Sequence, residues 1–169
     1  MARSASITQP RKTLIVLGAA ALLAALAVTA ATGHAAAGAP INVAKTKLGI
    51  ILVNAQGRTL YMFAKDTNDK SACYGSCATY WPPLLAGTAH PTGTGVKANL
   101  LGTTMRTGGK LQVTYNKHPL YLFVKDSKSG QTQGEGMNLS GGVWYVMSPA
   151  GAAIKKAPAA ATTGGGYGH

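Results

Sequence analysis

Acidic residues are nearly missing from this sequence of 169 residues, which has four of them against 16 lysines and arginines and a formal charge of +12. The four are Asp66, Asp69, Asp126 and Glu135. A mechanism built on a cluster of carboxylates therefore has very little to draw on, and an acidic disordered tail is excluded. Cysteine is scarce too: two residues exclude a disulfide-dense miniprotein, and the chain length excludes a large multidomain enzyme.

Motifs that carry known catalytic chemistry are absent as well. The chain has no nucleophile elbow, no H-E-x-x-H motif and no phosphate-binding G-x-x-x-x-G-K-(S/T) loop. His118 is the one histidine within the repeated region described below, and no Met-x-x-Met or His-x-His spacing supports a copper site around it. The sequence therefore predicts a protein that is not an enzyme, with no catalytic residues, no metal site and no cofactor.

The first 37 residues have the layout of a secretory signal peptide. Three basic residues precede an uncharged run over residues 14–30, and alanines at positions 35–37 offer a cleavage site. An uncleaved anchor is the alternative, because the run approaches the roughly 20 residues that span a bilayer. We predict that residues 1–37 are removed, leaving a secreted or cell-envelope protein without a membrane span.

The mature protein remains strongly basic. Removal of residues 1–37 takes away three positive charges and leaves +9. Such a charge attracts anionic polymers of the cell envelope, whereas the plainer interpretation is a soluble surface that repels its own copies. No Arg-rich or aromatic-interleaved stripe of a nucleic-acid-binding protein is present, so we predict no nucleic-acid partner.

An internal repeat accounts for most of the remaining chain. Residues 49–66 read GIILVNAQGRTLYMFAKD, and residues 109–126 read GKLQVTYNKHPLYLFVKD. Matched positions, at an offset of 60, include Tyr61, Phe63 and Asp66 in the first copy and Tyr121, Phe123 and Asp126 in the second. A tryptophan follows each copy at a similar distance, at Trp81 and Trp144, and both are predicted to lie in an aromatic core. Two copies of one unit indicate a duplicated structural element.

Each copy is predicted to form a β-hairpin, because two β-prone runs flank a short turn. A two-residue turn at Gln56-Gly57 would place Val53 opposite Leu60 in the first hairpin. In the second, a turn at residues 116–117 would place residue 113 opposite residue 120.

The predicted fold is all-β: two β-hairpin repeats that form one small sandwich- or barrel-like domain, with a short helical turn near the cysteine pair. We place this domain at residues 38–154, with repeat 1 at about 45–86 and repeat 2 at about 103–151. Residues 155–169 are a low-complexity tail, for which we predict flexibility. The oligomeric state does not follow from the sequence.

The repeated pattern resembles a family of secreted, lipoprotein-like repeat proteins with a Tyr-x-(Phe/Trp/Tyr)-x-x-Asp motif, whose function is recorded as unknown. Both copies carry this motif, and the resemblance covers roughly residues 45–151. It implies an extracellular or envelope location and supplies no catalytic residues. Many relatives look lipid-anchored, but this chain lacks the cysteine that such an anchor requires.

The motif itself admits two interpretations. Alternation along a strand points Tyr61 and Phe63 to one face and Asp66 to the other, so the tyrosine and aspartate of one copy are not neighbours unless a bulge intervenes. In the structural interpretation the aromatic residues fill the core, while the aspartates accept backbone N–H bonds and open turns. In the functional interpretation Asp66 and Asp126 converge on a ligand or a cation. A calcium loop at residues 66–71 is disfavoured, because Lys70 lies where such a loop needs an oxygen ligand.

Cys73 and Cys77 are predicted to form a disulfide with each other, since an exported protein meets an oxidising environment. A redox-active pair is the alternative, although the spacing differs from C-x-x-C.

The sequence thus predicts a non-enzymatic binding or structural module that contacts anionic envelope polymers or envelope proteins. A metal-binding or electron-transfer accessory protein, using His118, methionine side chains or the Cys pair, is the alternative function. An unrecognised hydrolase that uses Asp66 or Asp126 is a third.

Overall fold

The computed structural model describes residues 39–88 and 90–155, which contain nine strands, one α-helix and one 3₁₀ helix. The predicted signal peptide, residues 1–37, and the tail beyond Lys155 lie outside the described residues. The strands are β1 (Ile41–Thr46), β2 (Gly49–Asn54), β3 (Tyr61–Phe63), β4 (Leu101–Met105), β5 (Leu111–Tyr115), β6 (His118–Pro119), β7 (Asn138–Leu139), β8 (Gly142–Met147) and β9 (Ala153–Ile154). The α-helix α1 spans Ser76–Tyr80, and the 3₁₀ helix spans Ala98–Leu100.

All strand pairs between these elements are antiparallel. The strands form the pair β1-β2, the group β3-β8-β7 with β9 also on β8, and the sheet β4-β5-β6. The all-β prediction is confirmed, and the short helix lies at the cysteine pair as expected; no sheet of the described residues closes into a barrel. Within residues 39–88 and 90–155, no helix has the length and apolar character needed to cross a bilayer.

The second hairpin follows the register that its turn predicts. Asn116 and Lys117 have φ values of 49° and 64°, as a two-residue hairpin turn requires. The backbone N–H of Leu120 then donates to the carbonyl of Val113 at 2.9 Å, so these two residues lie opposite each other.

The predicted register of the first hairpin is wrong by one residue. Val53 lies opposite Thr59, not Leu60, because the turn contains three residues instead of two. The side-chain oxygen of Asn54 accepts the backbone N–H groups on both sides of Gly57, at 3.0 and 2.9 Å. Gly57 has a φ of 74°, which a side chain would disfavour. Asn54 thus stabilises the longer turn.

The two repeats exchange strands with each other. The motif strand of repeat 1, β3, pairs with β8 of repeat 2, which places Phe63 opposite Trp144. In the equivalent pairing, the motif segment of repeat 2 contacts the chain that follows Trp81, where Leu122 donates its backbone N–H to Pro82 at 2.9 Å. Neither motif segment pairs with the tryptophan segment of its own repeat, so the repeats are intertwined.

The two exchanged motif segments lie next to each other at the motif tyrosines. Tyr61 and Tyr121 lie opposite each other and exchange both backbone hydrogen bonds, at 2.9 and 3.0 Å. The pair therefore marks an approximate two-fold relation between the repeats. β3 is buried on both faces, with Tyr61 and Phe63 in one core cluster and Met62 in the other. This explains why the motif strand is apolar throughout.

Candidate functional site

The motif phenylalanines and the two tryptophans form a column of four stacked rings. Its order is Phe63, Trp144, Trp81 and Phe123, with centroid separations of 4.1, 3.9 and 4.3 Å in turn. The two indoles at the centre are almost parallel, with an interplanar angle of 2°. Each repeat contributes one tryptophan and one phenylalanine, and each phenylalanine stacks on the tryptophan of the other repeat. All four side chains are buried.

The motif tyrosines flank this column edge-on. Tyr61 contacts Trp81 at 5.3 Å and 75°, and Tyr121 contacts Trp144 at 5.1 Å and 89°. Edge-to-face contacts of this kind add to the stabilisation that burial alone supplies. The six aromatic residues predicted from the repeat therefore form one cluster.

Each tyrosine hydroxyl binds the motif aspartate of the other repeat. Tyr61 donates to Oδ2 of Asp126 at 2.5 Å, and Tyr121 donates to Oδ2 of Asp66 at 2.8 Å. Strand alternation predicts that the tyrosine and aspartate of a single copy diverge. In the structure, each of these side chains finds its hydrogen-bond partner in the other repeat.

Both aspartates also accept a backbone N–H group with their second oxygen. Ala72 donates to Oδ1 of Asp66 at 2.7 Å, and Gln133 donates to Oδ1 of Asp126 at 3.0 Å. The two carboxylates therefore fasten the turn that follows each motif to the tyrosine of the other copy. This arrangement corresponds to the structural interpretation of the motif.

The aspartates differ in their access to solvent. Asp126 is fully buried, with 0% of its surface exposed. Asp66 is only partly buried and lines an open polar groove of about 540 Å³ with Asp69, Lys117 and His118 among its neighbours. Asp126 is not among the residues that line this groove, so the two carboxylates do not share one cleft there.

Two arginines complete the cluster, and sequence reasoning did not identify them. Arg106 is buried and donates to Gln112 Oε1 at 2.5 Å, to the Cys73 carbonyl at 2.6 Å and to Ser71 Oγ at 2.8 Å. The same Ser71 oxygen lies 2.8 Å from the Tyr121 hydroxyl. Arg106 thus ties the cysteine segment to the tyrosine of repeat 2.

Arg58 has a matching role on the other side. Its guanidinium donates to the carbonyls of Phe123 and Asp126, both at 2.9 Å. The composition could have pointed to these two residues. Arg58 and Arg106 are the only arginines in residues 38–154, where the other positively charged residues are lysines. Arginine is preferred where a planar group must donate several hydrogen bonds at once.

Gly134 is a further residue that the sequence did not single out as structural. A Cβ atom at this position would lie 2.6 Å from the Trp81 ring and 3.0 Å from the Tyr61 ring. Its backbone N–H donates to the Tyr61 hydroxyl oxygen at 3.2 Å. Glycine is therefore required here by close packing against the aromatic cluster.

The predicted disulfide is confirmed. Cys73 and Cys77 are bonded to each other, with their Cα atoms 5.3 Å apart, and both are buried against the aromatic cluster. Closing so short a loop contributes about 2 kcal/mol in the chain-entropy model. The bond therefore mainly shapes the segment that carries Ser71 and the start of α1.

The histidine predicted as a possible ligand has few partners of the right kind. His118 is half-buried in the polar groove, and burial lowers its pKa, although the charge of Asp69 opposes this. In the part of the chain that the structure describes, no three His, Cys, Asp or Glu side chains come together as a metal-binding group.

Burial also sets the protonation of the tyrosine–aspartate pairs. It raises the pKa of Asp66 from its ordinary 3.8 to about 6, against the opposing effects of the Ala72 N–H, the Tyr121 hydroxyl and Arg106. Burial raises the pKa of Asp126 too. The pKa values of Tyr61 and Tyr121 lie well above their ordinary value, because of burial and the adjacent aspartates. Both tyrosines are therefore neutral hydrogen-bond donors at physiological pH.

A pH dependence of stability follows for Asp66. Its pKa is higher in the folded than in the unfolded state, so the folded protein binds more protons between pH 3.8 and about 6. This contribution to stability is complete below pH 3.8 and is lost as pH rises to about 6. We expect the free energy of unfolding of the wild-type protein, minus that of Asp66→Asn, to be larger at acid pH than at neutral pH in urea denaturation.

Asparagine is a suitable reference because it keeps an oxygen for the Ala72 N–H but does not titrate. Subtracting its curve removes the effects of the other acids and of the lysine-rich surface. Two curves that run parallel across this pH range would contradict the assignment.

Comparison with known proteins places the repeats in a family. A family model described as a secreted repeat of unknown function matches the chain twice, at residues 42–85 and 102–148. The two matches cover just over half of the chain, and each spans one copy of the tyrosine–aspartate pattern. No curated protein and no solved structure matches the chain. The resemblance noted from the sequence is thereby confirmed.

Proposed function

Because this chain belongs to that family of secreted repeats, we propose that it acts outside the cell as a non-enzymatic module that binds anionic polymers of the cell envelope. The observation that carries the proposal is the separation of charge between the surface and the interior. All ten lysines of residues 39–88 and 90–155 are exposed, whereas the four acidic residues are buried or partly buried.

Three of the four acidic side chains accept hydrogen bonds that hold the fold. Asp66 and Asp126 bind the motif tyrosines, and Glu135 accepts the backbone N–H of Val146 at 2.6 Å. The exposed charge is therefore almost entirely positive, which favours polyanions and repels polycations. The involvement of both motif aspartates in holding the fold also supports a non-enzymatic role.

The binding hypothesis makes a testable prediction about salt. We expect the purified protein to be retained on cell-wall sacculi that carry phosphodiester polymers, and to be released as ionic strength rises. Retention is measured by sedimentation of the sacculi across a salt series. Sacculi stripped of their anionic polymers serve as the matrix control.

A matched pair of variants tests whether exposed lysines are responsible. Lys45, Lys110 and Lys128 are changed together to glutamate in one variant and to arginine in the other. We expect the glutamate variant to lose most of its retention and the arginine variant to keep it, because only the first changes the charge. Retention that responds to neither salt nor charge reversal would overturn the proposed function.

A further inference from the structure

The aromatic cluster has features that polymer binding does not require. Two indoles stack at 3.9 Å in the centre of the column, and a tyrosine contacts each of them. Each tyrosine hydroxyl is hydrogen-bonded to a carboxylate. Such a chain of buried rings with short separations is a continuous path for a single electron.

The hydrogen bonds of the rings determine which side chain holds the radical after one electron is removed. The indole N–H of Trp81 has no hydrogen-bond partner in the described structure, and that of Trp144 donates to the Leu139 carbonyl at 3.0 Å. Neither indole N–H lies next to a basic group, so an oxidised tryptophan has no nearby acceptor for its proton. The tyrosines, in contrast, hold their protons within reach of a carboxylate that accepts one.

The two tyrosines differ in what lies beyond the carboxylate. Asp126 is fully buried, so a proton transferred from Tyr61 would remain inside the protein. Asp66 borders the polar groove, so a proton transferred from Tyr121 has an exit to solvent. Release to solvent makes oxidation of Tyr121 the more favourable outcome.

We propose that the stacked tryptophans and the Tyr121–Asp66 pair form a relay that takes up one oxidising equivalent and holds it as a neutral tyrosyl radical on Tyr121. The oxidant is a high-potential metal complex outside the cell, which accepts one electron and is itself reduced. Tyr80 is adjacent to Trp81 in sequence and 50% exposed, so it is an oxidisable side chain at the surface one residue away from the column.

Each step of the relay transfers one electron. The oxidant removes one electron from the Trp81–Trp144 pair, and Tyr121 returns an electron to the indoles. As it does so, the O–H bond of Tyr121 breaks and its proton forms a bond to Oδ2 of Asp66. A one-electron reductant such as ascorbate then restores the tyrosine, which takes a proton back from Asp66 or from solvent.

Flash-quench oxidation of the full chain tests the relay, with a photo-oxidised ruthenium polypyridyl complex as the oxidant. Transient absorption and electron paramagnetic resonance distinguish tryptophanyl from neutral tyrosyl radicals. In the wild-type protein we expect the tryptophanyl signal to convert to the tyrosyl signal. We expect Tyr121→Phe to lower the tyrosyl yield several-fold, with the tryptophanyl signal lasting longer.

Tyr115 offers a matched control. It is as buried as Tyr121, but its hydroxyl contacts the backbone of Lys97 and Pro149 and no carboxylate. Tyr115→Phe is therefore expected to leave the tyrosyl yield unchanged. A yield in Tyr121→Phe equal to that of the wild type, or a similar loss in both variants, would overturn the proposal.

Asp66→Asn keeps the experiment decisive if Tyr121→Phe does not fold. The amide removes the base while leaving the tyrosine in place, so we expect slower conversion of the tryptophanyl signal and a solvent isotope effect that differs from that of the wild type. Conversion at the wild-type rate with an unchanged solvent isotope effect would contradict the assigned proton acceptor. Because the readout is a radical signal, its failure would not affect the polymer-binding hypothesis.

Discussion

Trp81→Ala is expected to lower the free energy of unfolding by about 3–5 kcal/mol, the usual range for removing a fully buried tryptophan. Trp81 stacks on Trp144 and Phe123 and receives the edge of Tyr61. Removing the indole opens a cavity in the middle of the column. Both repeats line this cavity, so neither can fill it by a local shift of its own side chains. Urea denaturation followed by circular dichroism measures the effect.

The size of this effect approaches the total stability of a small domain, about 5–15 kcal/mol, so a milder variant is needed as well. Trp81→Phe keeps a ring in the column and is expected to cost less than Trp81→Ala. Val124→Ala is the surface control, because Val124 is 42% exposed, and its effect should stay within about 0.5 kcal/mol. A Trp81→Ala protein as stable as this control would contradict the assigned role of the column.

The second large effect is expected at Asp126. Asp126→Ala leaves the Tyr61 hydroxyl and the Gln133 N–H without their acceptor, and a buried unsatisfied group such as the Tyr61 hydroxyl costs about 1–3 kcal/mol. The equivalent change, Asp66→Ala, removes the same two kinds of hydrogen bond at the edge of an open groove, where water can replace them. We therefore expect Asp126→Ala to be clearly more destabilising than Asp66→Ala when both are measured by urea denaturation.

The repeat supplies its own control for this comparison, because the two aspartates have the same type of partners and differ mainly in burial. Tyr61→Phe combined with Asp126→Ala forms a double-mutant cycle that isolates their coupling. Equal losses of stability in Asp126→Ala and Asp66→Ala, or no coupling energy between Tyr61 and Asp126, would contradict our assignment of the effect to the buried hydrogen bond between the repeats.

Local pattern was enough to predict the two hairpin turns and the short helical turn of this fold, and its limit is visible at single residues. The Asn-Lys turn at residues 116–117 sets the register of the second hairpin, because both residues adopt a positive φ. The Gln-Gly turn did not fix the first, because the Asn54 side chain competes for the neighbouring N–H groups. Such side-chain competition is local, yet a two-residue template does not include it.

The hydrogen-bond partners of the motif tyrosines and aspartates could not be predicted from local sequence pattern. Alternation along one strand separates the tyrosine from the aspartate of the same copy. Their actual partners are 65 and 55 residues away in sequence, because the repeats exchange strands. A repeat shows which residues are equivalent, but it does not show whether a copy pairs with itself or with its neighbour.

The exchange of strands has a consequence for how such a protein could arise. A half-length chain with one copy would leave its tyrosine, its aspartate and its indole without partners, whereas two such chains could satisfy each other as a symmetric dimer. Joining the copies in one polypeptide replaces that bimolecular encounter by a tethered one, at the high effective concentration that a short linker provides. The residues between the two copies therefore act as the covalent substitute for dimerisation.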